Sequence, residues 1–239
     1  MLCVPRSMIL GGLQKLTLID YPGHIAATVF TVGCNFRCPF CHNPELVGSG
    51  GWEVGSGIFE KGFFDFLKER RGKLEGVCIT GGEPTIQPGI ENFVQRIKSL
   101  GFKVKLDTNG ARPDILRRLY AEKLLDFVAM DIKSDLANYA KLTNHNVDIE
   151  RIKLSADLIR NSGIDYEFRT TAVPGLHKID DFVKIGEWLE GSKKYVLQTF
   201  EDKGKILDSR LKKKTKGKRL DLEKIANKIE KFFGKVEIR

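Results

Sequence analysis

The sequence predicts an α/β fold, a partial (β/α)6 TIM-like barrel of parallel strands carried as a single domain over residues 1–239. Three observations predict it. Short β-branched, apolar segments alternate with longer segments of helical period along most of the chain. From residue 25 onward each strand-like segment is followed by a helix-like one, an order that gives a parallel sheet with helices outside it, doubly wound or curled into a barrel. Polar motifs gather at the C-terminal ends of those strands, the end at which barrels carry their chemistry.

Residues 13–19 read as an opening strand, closed by a turn at Tyr21, Pro22 and Gly23. Residues 25–32 are apolar and β-branched, as a buried strand requires. A Gly-rich stretch, 48–57, leads to a helix over 59–70. Residues 76–80 form a short strand ending in Gly81 and Gly82. A helix over 89–100 places Ile90, Phe93, Val94 and Ile97 on one face. Strands then alternate with helices: 102–107 with 114–122, 127–132 with 148–161, and 166–173 with 179–189. A strand over 195–200 closes the core, which runs from about residue 10 to 200. Residues 201–239 add a basic loop, an amphipathic helix over 220–233 and a last strand over 236–238. No low-complexity segment or linker divides the chain.

Hydrophobic residues make up 41% of the chain, enough for a sizeable core. No stretch reaches the ~18 uncharged apolar residues of a membrane span, and the first ten residues lack the apolar centre of a secretory signal. A cytoplasmic protein without membrane contact is the expectation. The net charge is +9, and residues 202–219 carry nine Lys/Arg against two Asp. Such a basic run, 203–219, binds phosphate or nucleic acid in some proteins and is a solvated, mobile loop in most. The absence of interleaved aromatics for base stacking favours the loop.

The five cysteines are Cys3, Cys34, Cys38, Cys41 and Cys78. An odd number with three inside eight residues is a poor disulfide framework. The spacing C-x3-C-x2-C lets three thiolates on one tight loop each hold one iron of a cubane cluster, leaving the fourth iron without a protein ligand. Zinc is the alternative, but a structural zinc needs four ligands. His42 follows Cys41 directly, an awkward pair for one tetrahedral ion. Cys78 lies on a predicted strand, where a thiol serves as a small apolar filler. Cys3 and Cys78 cannot supply a second four-thiolate set, so one cluster is expected.

The other strand ends carry GGEP (81–84), Asp107-Thr108-Asn109-Gly110, Asp131 with Lys133, Arg169 with Thr171, and Gln198 with Thr199. Glycines let a backbone approach a ligand closely, and Glu83 adds charge. Asn109-Gly110 also reads as a plain turn. Lys133 lies two residues beyond Asp131, on the same strand face. Lys133 and Arg169 are the candidate catalytic side chains. Arg169 on an apolar strand needs a partner, and Glu167, two residues away, is one candidate. Phe36 and Phe40 flank the cysteines as ring platforms or as packing.

The segment CNFRCPFCHNP (34–44), followed in order by GGEP, DTNG and DIK, resembles the radical S-adenosylmethionine superfamily. The stretch 17–46 is similar to the activating proteins of anaerobic ribonucleotide reductase, relatives of the pyruvate formate-lyase activases. The resemblance implies one [4Fe–4S] cluster on Cys34, Cys38 and Cys41, with S-adenosylmethionine chelated at the open iron. It implies reductive cleavage to methionine and a 5′-deoxyadenosyl radical that takes hydrogen from a glycine of a partner glycyl radical enzyme. Gly81, Gly82, Glu83, Asp107, Thr108, Asn109, Asp131 and Lys133 then line the cofactor, with a monovalent cation at Asp107, the Thr108 backbone and Asp131. The implied electron donor is a flavodoxin or ferredoxin. One departure stands out: related activases carry a cofactor-contacting histidine after the sixth strand, where this chain reads Gln198-Thr199-Phe200-Glu201. Two other functions stay open, a radical enzyme modifying a small molecule or a tRNA base, and a non-catalytic iron–sulfur or zinc-binding protein.

Overall fold

The computed structural model describes residues 8–48, 58–201 and 204–239. Cys3, most of the Gly-rich stretch and Lys203 of the basic run lie outside the described residues. The chain falls into two compact units, residues 1–35, 45–108 and 112–128 in one, and 36–44, 109–111 and 129–239 in the other.

In the first unit β1 (Leu10–Thr17) pairs antiparallel with β2 (Ala26–Thr31), which pairs parallel with β3 (Gly76–Gly81). The latter pairs parallel with β4 (Lys103–Thr108). Ala26, Ala27 and Val29 of β2 are fully buried and Thr28 nearly so. A strand covered on both faces needs an unbroken apolar run, which explains its sequence. Helices α1 (Glu60–Glu69), α2 (Ile90–Ser99) and α3 (Pro113–Ala121) belong to this unit. Pro113 opens α3, where its missing N–H costs nothing. Ile90, Phe93, Val94 and Ile97 of α2 are buried as the period requires, each contributing about 1.5–3 kcal/mol. Phe63 stacks on Phe93 with ring centroids 5.3 Å apart, tying α1 to α2.

The first strand begins and ends earlier than the expected 13–19. Leu10 is fully buried, whereas Leu18 and Ile19 are 70% and 81% exposed. The Thr17 hydroxyl accepts hydrogen bonds from the backbone N–H groups of Ile19 (3.3 Å) and Asp20 (3.2 Å) and turns the chain there. Apolar side chains alone did not extend the strand.

β5 (Phe127–Asp131) starts in the first unit and ends in the second. In the second unit β6 (Asp165–Ala172), β7 (Tyr195–Thr199) and β8 (Val236–Ile238) pair parallel in that order. Its helices are α4 (Tyr139–Thr143), α5 (Ile149–Arg160), α6 (Ile179–Trp188), α7 (Ser209–Thr215) and α8 (Leu222–Ile229). Asp148 caps α5 by accepting from Glu150 N at 3.1 Å and Arg151 N at 3.4 Å. The helix α4 was not foreseen; it is one short turn ended by Asn144 at φ 46°. The reading of the basic run as a mobile loop is corrected in part. Residues 212–215 lie in α7, which Asp208 caps and which buries Leu211 and Thr215. The expected helix over 220–233 is shorter, and its last residues form a 3-10 turn, Glu230–Phe232.

The pairing of Arg169 with Glu167, one candidate in the sequence, does not occur. Glu167 is fully buried and takes both guanidinium nitrogens of Arg239 at 3.0 Å. Lys194 adds an ammonium at 3.4 Å. Arg169 turns instead to Asp131, with Nε 2.9 Å from Oδ1. The two residues share a strand face but sit one pleat apart, and each has a nearer partner of opposite charge. Among the described residues no helix is long and apolar enough to cross a membrane.

Candidate cofactor site

In the first unit the site grows from the exit of β2. The chain leaves Thr31 and is tied by Gly33 N to Leu46 O at 2.7 Å and by Cys34 N to Val47 O at 3.2 Å. The GGEP turn docks on this exit. Gly82 N donates to Thr31 O and Glu83 N to Gly33 O, both at 2.8 Å. The glycines are required by that approach. Gly81 stands at φ +111°, and a Cβ on Gly82 would overlap the Gly33 carbonyl oxygen. Both strand ends therefore meet backbone to backbone.

Glu83 is 1% exposed. Its Oε1 accepts from Thr85 N at 3.0 Å and Thr108 Oγ1 at 2.7 Å, and also from the Thr85 hydroxyl. The carboxylate thus pins the GGEP turn to the end of β4. This is a positioning role beside the charge that Glu83 adds. Asp107 accepts from Lys105 Nζ, two residues earlier on the same strand face. Lys105 is 1% exposed, and its Nζ also lies 3.7 Å from Cys78 Sγ. Cys78 is fully buried on β3, and its sulfur accepts from that ammonium in addition to filling space.

In the second unit Cys41 N donates to Cys38 O at 3.0 Å, closing a turn between two of the cysteines. Cys38 is buried and Cys41 half-buried, and neither is in a disulfide. Burial pushes the Cys38 thiol up to about 11, against a smaller downward pull from the Lys133 ammonium. Asp131, at the end of β5, accepts from Arg169 Nε at 2.9 Å and from Lys133 Nζ at 3.2 Å. Burial alone raises the Asp131 carboxyl, but these two cations outweigh it and hold it at about 2. Burial lowers the Lys133 ammonium, and Asp131 more than reverses this. The group is therefore a fixed carboxylate between two fixed cations.

Packing surrounds it. Phe36 lies edge-on to Tyr139 with centroids 6.4 Å apart, and Phe40 lies 6.3 Å from the His177 ring. His177 is 3% exposed. Its Nδ1 accepts from Val173 N at 3.0 Å, so Nε2 carries the proton and donates to Lys133 O at 2.9 Å. The loop histidine thus braces the backbone of Lys133. Asn109 accepts from Ala111 N at 3.0 Å, the turn its sequence suggested. Sequence reasoning passed over Lys105 and the role of His177. A lysine in alternation with Asp107 on an apolar strand was the available signal for the first; nothing local marked the second.

Among the described residues no three His, Cys, Asp or Glu side chains converge to hold a single metal ion. Three thiolates on a cubane each take a separate iron and need not converge on one point. The donor set, three thiols that form no disulfide on a short loop, fits such a cluster.

The radical SAM superfamily model matches residues 28–189. The chain is 32% identical to a Methanocaldococcus jannaschii protein named "Putative glycyl-radical enzyme activating enzyme", over 97% of this chain and 95% of that one. It is 30% identical to the pyruvate formate-lyase-activating enzyme of Streptococcus mutans, over 81% of this chain and 75% of the relative. Among solved structures, Streptococcus suis SuiB bound to S-adenosylmethionine superposes with TM-score 0.65 at 14% identity. That match covers 87% of this chain and 48% of SuiB, so the chain spans about half the length of that protein. A domain of the pyruvate-formate lyase-activating enzyme of Bacteroides vulgatus superposes with TM-score 0.52 at 16% identity, over 69% of this chain and 98% of that domain. These structural likenesses speak to the fold, an α/β partial barrel with a mostly parallel sheet. The chain belongs to the radical SAM superfamily, and it is an enzyme. Within that superfamily it resembles the glycyl-radical enzyme activating enzymes. Membership implies a [4Fe–4S] cluster and S-adenosylmethionine.

Proposed function

We propose that the chain activates a glycyl radical enzyme by removing hydrogen from a glycine Cα of that partner, in the manner of the anaerobic ribonucleotide reductase activases. Cys34, Cys38 and Cys41 hold the cluster. When bound, the cluster and S-adenosylmethionine supply reductive cleavage of the sulfonium bond and the hydrogen-atom abstraction that follows. The rest is positioning by this chain. The backbone of Gly81 and Gly82 offers carbonyl oxygens to the cofactor's ammonium group, with the turn held by Glu83, Thr85 and Thr108. Lys133 presents its ammonium to the cofactor's carboxylate, oriented by Asp131 and by the His177 bond to its own carbonyl. Arg169 fixes the other side of Asp131, and Asn109 shapes the turn after β4. A monovalent cation at Asp107 would share the carboxylate with Lys105, and one at Asp131 would share it with Lys133 and Arg169.

The observation that supports this reading best is the Asp131–Lys133–Arg169 group at the end of β5, a carboxylate that fixes an ammonium and a guanidinium. An ammonium held in place in this way is a preorganised donor for an incoming carboxylate. The test is anaerobic reconstitution with iron and sulfide, followed by a flavodoxin or ferredoxin reductant and S-adenosylmethionine. About four irons per chain, 5′-deoxyadenosine formation, and a glycyl EPR doublet on an added ribonucleotide reductase are expected. Cys38→Ala is expected to lose all three. Deoxyadenosine without a doublet on any glycyl radical enzyme would move the substrate to a small molecule or tRNA base.

A further inference from the structure

The basic run left over by the function just described is built onto the cysteine loop. Leu207 N donates to Cys41 O at 3.1 Å, and Asp208 N donates to Pro39 O at 2.9 Å. Ile206 and Leu211 are buried on either side and anchor the segment. The result is a groove of about 500 Å3 lined by Arg37, Pro39, Lys141, Leu207, Asp208 and Arg210, among others. Its acid is already matched. The Asp208 carboxylate takes Arg210 Nε at 2.9 Å and Nη2 at 3.0 Å. Arg37 and Lys141 are exposed, and α7 continues the positive charge through Lys212, Lys213 and Lys214. A groove wall formed by Pro39 lies within the C-x3-C-x2-C motif, between Cys38 and Cys41.

We propose that this groove is the docking surface for a small acidic one-electron carrier that reduces the cluster. The inference rests on the cluster assignment above. Electron transfer falls steeply with distance, so a protein donor must approach the loop that holds the irons. Here one face of that loop is exposed, concave and cationic, while its backbone carbonyls are engaged by the basic segment. A concentrated positive field raises encounter rates with an anionic partner and makes them salt-dependent. Nucleic acid fits less well. The groove lining includes no aromatic side chain on which bases could stack.

The test uses the reconstituted holoenzyme of wild type, Lys141→Glu and Arg37→Glu/Lys141→Glu. Cluster reduction is followed by absorbance with reduced flavodoxin, an acidic donor, and with photoreduced deazaflavin, a small neutral one. Titration calorimetry gives the flavodoxin Kd for each protein. The double variant is expected to slow reduction by flavodoxin about tenfold or more and to weaken binding in step. Its rate with deazaflavin is expected to be unchanged, and the wild-type rate with flavodoxin to fall steeply between low and high salt. Arg37 stands inside the cysteine motif, so Lys141→Glu alone serves if the double variant loads no cluster, with a smaller loss expected. Equal flavodoxin rates and Kd values in wild type and variants overturn the docking proposal alone. So does a loss of tRNA binding, read by anisotropy, with flavodoxin reduction intact. A wild-type chain that assembles no iron–sulfur cluster overturns this proposal together with the function it rests on.

Discussion

Glu83→Ala is expected to destabilise the metal-free chain by about 3–4 kcal/mol, counted from the three hydrogen bonds to its carboxylate that it would remove at about 1 kcal/mol or more each. Their donors are Thr85 N, Thr85 Oγ1 and Thr108 Oγ1, all on Glu83 Oε1. Glu83, Thr85 and Thr108 are each no more than 2% exposed, so bulk solvent does not reach the lost acceptor's place. Relief of the buried charge offsets part of the loss. Glu83→Gln keeps an acceptor oxygen at that place and is expected to cost less, about 1–2 kcal/mol. Thr108→Val removes one bond to a charged group while keeping shape, for about 1.5 kcal/mol. The assay is urea unfolding under anaerobic, reducing conditions, with S-adenosylmethionine binding to the reconstituted protein as a second readout. If the carboxylate positions the GGEP turn, loss of stability and loss of cofactor affinity should rise together from Gln to Ala. An alanine variant as stable as the parent refutes the reasoning. So does a Gln variant as damaged as Ala, since it would make charge, not positioning, the role.

Two further outcomes follow from the same network of charges. Lys105→Met removes the buried ammonium that Asp107 accepts from and is expected to cost about 3 kcal/mol, by the penalty for breaking a buried pair. Adding Asp107→Asn should restore part of that loss in a double-mutant cycle, and strict additivity of the two changes would exclude the pairing. At the C-terminus, the hydrogen bond from Lys235, with help from Lys194 and Arg239, holds the Glu237 carboxyl at about 2, below its ordinary 4.5. Its contribution is present above the unfolded value and lost as pH falls from about 4.5 through about 2, and at this partly exposed site it is worth about 1 kcal/mol. Glu237→Gln should flatten that part of the acid limb of the unfolding midpoint; an unchanged limb would sink the assignment.

The strand–helix alternation was legible because each strand is short, apolar and followed by a helix with a clean stripe, as in α2 with Ile90, Phe93, Val94 and Ile97. Boundaries were less so. Leu18 and Ile19 look like strand and are exposed, because the Thr17 hydroxyl turns the backbone one residue before them. The helix α4 carries too few residues for a period to register. Of the site, GGEP and the aspartates were visible as strand-end motifs, since their spacing in sequence is one repeat of the fold. Partners were not visible. Glu167 is one candidate partner for Arg169 by proximity along the strand, yet Glu167 answers to Arg239, seventy-two positions away. Long-range charge pairing leaves no periodic trace in a single sequence.

The lysines change how the aspartates should be understood. Asp107 and Asp131 each accept from a lysine two positions away on the chain, Lys105 in one case and Lys133 in the other. Residues separated by two on a strand share a face, so this pairing is set by the strand's pleat. A sodium or potassium ion at either carboxylate must compete with an ammonium that is tethered and already desolvated. The tethered group loses little freedom on pairing, whereas the ion must be drawn from bulk water and stripped of its shell. In the cofactor role proposed for it, Lys133 has a second use that a mobile ion lacks. Braced through its carbonyl by His177 and through its ammonium by Asp131, it offers a directed donor that stays in place when a carboxylate arrives. Directed, preorganised donors of this kind cost no reorganisation at the moment of reaction. The charge presented at each of these strand ends is thus written into the strand itself.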